Sequence, residues 1–505
     1  MKIIKTAEIE PSALTGFERE QVYNGLDVCI TREVFEAIKF SENEATSHEA
    51  KTYAFSRALQ GPVLEMNGRG VKIDNVRKME VMDEFYNQLD ILERQLSRLV
   101  LEGVGMPHFN WRSNADLQHL FYTKLNIPPI KKQGRPTVDR NALEKMEGYL
   151  VARPIIAHIS TMREIAKKIG VLKTDIDPDG RMRTSYNIAG TDTGRFSSSY
   201  SEYGTGGNLQ NIEESLRSIF ISDSGMKFAK FDAKSGESYV VGAIEYNLFN
   251  DPTYLDAVDS GDVHTAVARI CWPELSWTGD FARDKDIAET PFYRHYTYRF
   301  MCKKLGHGSN YGGRPTTLAQ QSKLPVGVVS NFQPKYFSAF PAHQRWQEWV
   351  EDQVWTKGYL VSLMGRKRYF WGRRNDPDTI RAAIAFDPQG SLADIVNTAM
   401  LNIWRLNIAT LMMQDHDALT FQYPQELEEI ILPQLKANLI TPIKLANGRT
   451  LEIPYDCQVG WNRGKYDASK NPNGLQDYKG PDKRTRVPEA DLLDRRIRTT
   501  NRRTG

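Results

Sequence analysis

At 505 residues the chain is long enough for two to four domains, and 40% hydrophobic with 26% charged residues is the balance of a globular protein. No run of about 18 apolar residues occurs, which argues against a membrane-spanning helix, and the opening Met1–Lys5 stretch leads into charge without a secretory apolar centre. The net charge of +3 hides an asymmetry: from Lys479 to Gly505 nine Lys/Arg face four Asp/Glu, so the rest is slightly acidic and a nucleic-acid site there must be a local basic groove.

Taken in order, residues 1–48 read as a short helical region carrying Tyr23 and Asp27. Pro62, Gly68 and Gly70 break the pattern, and a new unit enters at Val71-Lys72-Ile73-Asp74. Apolar residues then recur at helical spacing (Met79, Met82, Phe85, Leu89, Leu92, Leu96, Val100), predicting a long helix whose antiparallel partner returns near 143–169. Between them, Lys131 to Pro136 is a basic loop, either a grip on a phosphate backbone or a solvated turn. Asp177-Pro178-Asp179-Gly180 is a turn. Phe228-Ala229-Lys230-Phe231-Asp232 reads as a buried strand ending in a carboxylate. Residues 250–360 are mainly helical, 380–405 form a helix, and Gln414 to Phe421 is a strand–turn–strand with acids at its tip. The tail from 479 reads as a solvated end, with an auxiliary phosphate contact as the second reading. Cys29, Cys271, Cys302 and Cys457 form no Cys-x-x-Cys and read as free thiols of a reducing compartment, so the expected location is the cytoplasm.

The chemistry-bearing residues fall into two groups. Asp232 and Asp417 come from separate strand ends, and two such carboxylates can bridge divalent cations about 3.5–4 Å apart. Hard oxygen ligands beside phosphates imply two Mg²⁺ ions. Either aspartate alone is more often a cap or a surface charge. The second group, Arg299, Lys303, His307 and Tyr311, recurs at four-residue steps and so shares one helix face. Two cations followed by two rings suit a triphosphate at one end and a sugar and base at the other. The plain alternative is a solvated helix face. The glycines and Tyr311 that follow on the same stripe argue against it.

Arg299-x-x-x-Lys303-x-x-x-His307-Gly308-x-x-Tyr311-Gly312 resembles the fingers-helix motif of family A DNA polymerases, the relatives of bacterial DNA polymerase I. Thr193-Gly194-Arg195-Phe196-Ser197-Ser198 is similar to the family's Thr-Gly-Arg-Leu-Ser-Ser, and Asn208-Leu209-Gln210-Asn211-Ile212 to its Asn-Leu-Gln-Asn-Ile. Asp232 and Glu237 fit motif A, Asp262-Val263-His264 resembles Asp-Ile-His, Arg381 to Gln389-Gly390 matches the segment before motif C, and His416-Asp417 matches motif C. Weaker similarity at Gly70–Asp74 and Phe109-Asn110 extends the resemblance toward the N-terminus.

The resemblance implies an α+β right-hand polymerase fold: an antiparallel-sheet palm, helical fingers and a helical-hairpin thumb. Its divisions would be a residual exonuclease-like segment 1–48, thumb 49–176, palm 177–248 and 362–478, fingers 249–361 and a basic tail 479–505. It implies that Asp232, Asp417 and the Ala233 carbonyl hold the two Mg²⁺ ions. Lys303 would act at the α-phosphate and protonate pyrophosphate, while Arg299 and His264 hold the outer phosphates. His307 would meet the incoming sugar, Glu237 would exclude a ribose 2′-hydroxyl, and Tyr311 would pack under the template base. Arg195 and Gln389 would read minor-groove acceptors, which are nearly degenerate among base pairs. Arg381 would grip the template backbone, His416 the primer end, and Asn208 and Gln210 would lie along the DNA. The partners are primer–template DNA and dNTPs, with a monomer expected, no membrane, and room for a separate exonuclease or replisome protein.

Several positions depart from the family pattern. Ala233-Lys234-Ser235-Gly236 replaces Tyr-Ser-Gln-Ile, His307 stands for Phe or Tyr, Ala418 for the glutamate after His-Asp, and Ala385 for an Asn; Ser199–Gly207 is inserted. Such divergence is typical of a phage or viral replicase, with the host cytoplasm as its setting. Tyr23-Asn24-Gly25-Leu26-Asp27 resembles the last motif of the family's 3′–5′ exonuclease. Too few residues precede it for the sheet that would carry the other carboxylates, and Glu8-x-Glu10 is a poor substitute, so no proofreading is expected. A single-subunit RNA polymerase-like enzyme, and a catalytically weak DNA-binding accessory protein, are the alternative readings; Glu237 argues against the first and the intact Asp232, Asp417 and Lys303 against the second.

Overall fold

The computed structural model describes residues 14–38, 47–482 and 484–486; Glu8, Glu10 and most of the basic tail lie outside them. Helices dominate: α1 (Gly16–Ile38), α2 (His48–Arg69), α3 (Asn75–Val104), α4 (Arg153–Leu172), α5 (Gly236–Phe249), α6 (Val263–Cys271), α7 (Val326–Ala339), α8 (Pro341–Thr356) and α9 (Pro377–Leu406). The central sheet is antiparallel throughout. Its strands are β1 (Met226–Ala233), β2 (Thr410–Asp415), β3 (Ala418–Pro424), β4 (Tyr455–Gly460) and β5 (Gln476–Asp477), in the order β2-β3-β1-β4-β5.

The expected helix pair is α3 against α4. Asp74 caps α3 by accepting from the Arg77 amide at 2.9 Å, and Gly105 ends it in the left-handed region (φ 65°). The buried stripe of α3 is Val81, Phe85, Leu89, Leu96 and Val100, while Met79, expected inside, is exposed. These residues, the Ile-rich face of α4 and the short elements between them enclose one core. Lys131–Lys132 and Arg135–Pro136 form an exposed two-stranded hairpin at its margin.

A larger core surrounds α9, which is buried almost all round from Ala383 to Ile403. Side chains of a strand alternate between faces. In β1, Ala229, Phe231 and Ala233 enter this larger core, whereas Phe228 on the other face enters the α3–α4 core. Lys230 and Asp232 continue that second face toward the open cleft, both only partly buried. Leu59, Val63 and Met66 of α2 also join the larger core, so α2 packs with the sheet rather than with α3 and α4. Among the described residues no helix is long and apolar enough to cross a membrane. All four cysteines are unpaired: Cys29 is exposed, the other three are buried.

Candidate active site

The sheet brings the two aspartates together. Asp232 lies one residue from the end of β1, and Asp417 follows His416, which turns the β2–β3 hairpin in the left-handed region (φ 58°). The Ala233 amide donates to the Asp417 carbonyl at 3.1 Å, locking the hairpin tip to the end of β1. Burial, and next the charge of Asp232, push the Asp417 carboxyl above its ordinary range. Both aspartates line one cleft of about 490 Å³, together with Ala233, Glu237, His264, Lys303 and His307.

Among the described residues no three His, Cys, Asp or Glu side chains are grouped to hold a metal. Asp232 and Asp417 nonetheless offer an oxygen-only set whose mutual repulsion a cation would relieve, and Ala233 lines the same cleft. The donors fit a hard divalent ion.

The phosphate-facing residues sit on a composite helix. Tyr298–Met301 is α-helical, Cys302–Gly306 makes a π turn, and His307–Asn310 resumes the α form. The regular four-residue stripe expected from sequence is therefore interrupted, yet Lys303 and His307 both remain exposed in the cleft. Lys303 makes no ion pair among the described residues, so its charge is available to a ligand. Gly308 permits close packing, since a Cβ there would meet Leu318 Cδ2 at 2.4 Å. Arg299 is tied down: its Nε is 2.8 Å from Asp262 Oδ2 and its Nη1 3.3 Å from Glu289 Oε1. Asp262 also caps α6, accepting from the His264 amide at 3.2 Å, which places His264 beside the row of cations. Burial drives the His264 imidazole down to about 4, helped by the charges of Arg299, Lys303 and His307 and opposed by Asp262, so the ring is neutral at neutral pH.

Glu237, in the first turn of α5, is gripped from two sides. Arg195 donates to one carboxylate oxygen and the Tyr311 hydroxyl to the other, with His307 Nε2 3.9 Å away. Burial and then the charge of Glu237 hold the Tyr311 phenol well above its ordinary value. The His307 and Tyr311 rings meet edge-on at 5.0 Å. Arg195 reaches this point because its loop lies directly on α9, where a Cβ at Gly390 would approach the Thr193 carbonyl to 2.9 Å.

The residues expected along DNA divide. Gln389 is partly buried on α9, and Arg381 is exposed near the start of that helix, paired with Asp378. His416 Nε2 lies 3.4 Å from Asn211 Oδ1. Asn208 caps the short helix Leu209–Asn211 and accepts from Ser198 Oγ at 2.7 Å. Gln210 departs from its expected place as a DNA contact. It is 7% exposed, and its amide donates to Gln414 Oε1 at 2.8 Å, while Gln414 Nε2 donates to the His416 carbonyl at 2.8 Å. In this conformation it supports the hairpin from below. Sequence reasoning did not single out Gln414, nor the buried Arg463–Asp415 ion pair under the same hairpin, nor Lys230, whose Nζ is 3.1 Å from Asp232 Oδ2. Long-range contacts bring Gln210 to Gln414 and Arg463 to Asp415, which no local spacing reports, whereas the two-residue step from Lys230 to Asp232 on one strand face was open to reading.

Known proteins resemble this arrangement. The chain is 27% identical over 442 residues to the thermostable DNA polymerase I of Thermus filiformis, covering 82% of this chain and 48% of the relative. It is 25% identical over 437 residues to DNA polymerase I of Geobacillus stearothermophilus, covering 81% and 45%. The chain thus spans about half the length of the curated relatives it matches. Among solved structures, the POL domain of Pol1 from M. smegmatis, in complex with DNA primer-template and dNTP, superposes with a TM-score of 0.64 at 24% identity, covering 81% of this chain and 69% of that one. That likeness shows the fold, the α+β right hand of a polymerase domain. Residues 77–466 match the model of DNA polymerase family A, and the chain belongs to that family.

Proposed function

We propose that the chain is a template-directed, DNA-dependent DNA polymerase that adds dNTPs to a primer 3′-hydroxyl with release of pyrophosphate. One observation carries the reading: Asp232, Asp417, Glu237 and Lys303, the last without an ion pair among the described residues, line a single cleft, with Glu237 held by Arg195 and Tyr311. In the right-hand scheme the central sheet is the palm, 249–361 the fingers and the α3–α4 unit the thumb, with α2 belonging to the palm on which it packs.

Asp232 and Asp417 would hold two Mg²⁺ ions, which when bound would lower the pKa of the primer hydroxyl and offset charge on the leaving pyrophosphate. The protein's own groups do the rest. Lys303 meets the α-phosphate side as a point charge and gives a proton to pyrophosphate. Arg299 leaves Glu289 and part of its hold on Asp262 to grip the outer phosphates. His264, neutral at working pH, donates a hydrogen bond to them. Glu237, fixed by Arg195 and Tyr311, walls off the position of a ribose 2′-hydroxyl, which favours deoxynucleotides. Tyr311 stacks at the insertion site, with His307 against the sugar. Gln389 and Arg195 read minor-groove acceptors, Arg381 the template backbone, and His416 the primer end, its hairpin held by Gln210. Asn208 acts through the turn it caps. We further infer that this chain extends primers as a monomer in the cytoplasm.

Primer extension on a DNA template tests the reading. Asp417→Asn should lower the rate by more than about 100-fold, the upper figure for loss of a mere outer partner of a metal ligand. Equal extension by both proteins would remove the metal assignment, and no extension by either would favour a DNA-binding accessory role. Glu237→Ala should raise the ratio of ribonucleotide to deoxynucleotide incorporation; an unchanged ratio would count for the RNA polymerase-like alternative.

A further inference from the structure

Lys230 stands two residues before Asp232 on the same face of β1. Its Nζ lies 3.1 Å from Asp232 Oδ2, and its side chain is 17% exposed against 47% for Asp232. The carboxylate that a divalent ion would need is thus already occupied by an internal ammonium. The surrounding register supplies a second place for that ammonium. Asp232 is flanked directly by Ala418 of β3 and Asp456 of β4, and Lys230 by Thr420 and Gln458. Directly opposed residues of antiparallel strands share a face, and diagonal neighbours lie about 7–8 Å apart, within reach of a lysine stem. Asp456 is exposed on this face, one diagonal step from Lys230. On the other flank, Ala418 offers no carboxylate.

We propose that Lys230 is a positioning residue of the metal site. Its ammonium holds Asp232 while no ion is bound, and passes to Asp456 when a divalent cation takes Asp232. The inference rests on Asp232 and Asp417 being the metal-holding pair. Without an ion, the tethered charge relieves the repulsion between the two aspartates. With one, the ammonium must leave, so metal binding competes with an internal cation. Asp456 makes that departure easier by accepting the displaced charge.

Titration of the full chain with Mn²⁺ alone, followed by loss of the free-ion electron paramagnetic resonance signal, reads this without catalysis. Lys230→Met keeps most of the stem and removes the charge. It should lower the Mn²⁺ dissociation constant about fivefold, the scale of a partly exposed ion pair. Lys230→Arg, which keeps a cation, should stay near the parent value. Asp456→Asn should raise the constant in the parent chain and leave it unchanged in the Lys230→Met background. An unshifted constant in Lys230→Met overturns the proposal. So does an Asp456→Asn effect that persists without Lys230, which would make Asp456 a direct ligand instead. Lys230→Gln is read in the same way should the methionine variant fail to fold. Asp417→Asn separates the two levels of argument: if it retains parent affinity the metal assignment itself fails, whereas lost affinity there with no shift in Lys230→Met removes this inference alone.

Discussion

Asp387 lies half-buried on α9, one residue before Pro388. Its Oδ1 accepts both from the Leu363 amide at 2.8 Å and from Ser391 Oγ at 2.7 Å. Burial outweighs these bonds and pushes the carboxyl up to about 6. A carboxyl raised on folding binds its proton more tightly in the native state, so its contribution is most favourable below the ordinary value near 4 and is lost as pH rises through about 6. At about 1.4 kcal/mol per unit, the cost at neutral pH is at most about 3 kcal/mol. Asp387→Asn retains the doubly accepting oxygen and never ionises. Denaturant midpoints should therefore agree between the two proteins near pH 4, and the variant should be the more stable at pH 7; parallel curves would refute the assignment. Single residues were legible in the sequence where a motif marks them, as at Asp232, Glu237 and Asp417. Asp387 and Asp456 were not, because their significance depends on burial or on a neighbour in a strand far along the chain; Lys230 was not singled out, although it stands two residues from Asp232.

At the scale of elements, periodicity placed α3 and its partner α4, since burial of one stripe stabilises each of them, while the helix expected at 380–405 is α9, buried almost all round. The π turn at Cys302–Gly306 had no such signal, because a four-residue spacing of polar residues reads the same whether or not one turn is widened. Just beyond that turn, Asn310 enters a buried chain of polar groups that joins three helices. Its Oδ1 accepts from the Tyr336 hydroxyl of α7 at 2.7 Å, Tyr336 contacts His343 Nε2 of α8 at 3.0 Å, and His343 Nδ1 bonds Glu245 of α5. His343 and Glu245 are essentially inaccessible. Removing one member leaves the other buried without its partner, which costs about 3–5 kcal/mol, while replacing both by apolar residues is commonly close to neutral. His343→Leu and Glu245→Leu should each lower the melting temperature sharply, and the double variant should recover most of the loss. Additive losses in that cycle would show that the two side chains act independently. Since Asn310 adjoins Tyr311, the single variants should also weaken nucleotide binding.

At the scale of the whole molecule, the described residues form two hydrophobic cores joined through one sheet. Phe228 of β1 and Met412 and Met413 of β2 belong to the α3–α4 core, while their strand neighbours Ala229, Phe231 and Leu411 belong to the core around α9. Composition and length allowed several domains, but the sequence did not show that alternate residues of one strand serve different cores; strand pairing decides that. The opposite case is α1, which has no buried side chain among the described residues and leaves Phe17, Val28, Ile30, Val34 and Phe35 exposed. Stability should follow this distribution. Phe228→Ala opens a cavity at the joint, where its ring is wholly inaccessible, and should cost about 3–5 kcal/mol. Because both cores share β1, the loss should appear in a single cooperative unfolding transition, or else split it so that the α3–α4 unit melts first. Among the described residues, deleting 1–38 removes none that are buried, and it should leave the melting temperature within about 2 °C of the parent, as expected where surface changes stay within ±0.5 kcal/mol. Calorimetry of both variants checks the contrast: a large loss on deleting α1, or an unchanged transition in Phe228→Ala, would mean that the two cores are not coupled where the sheet places them.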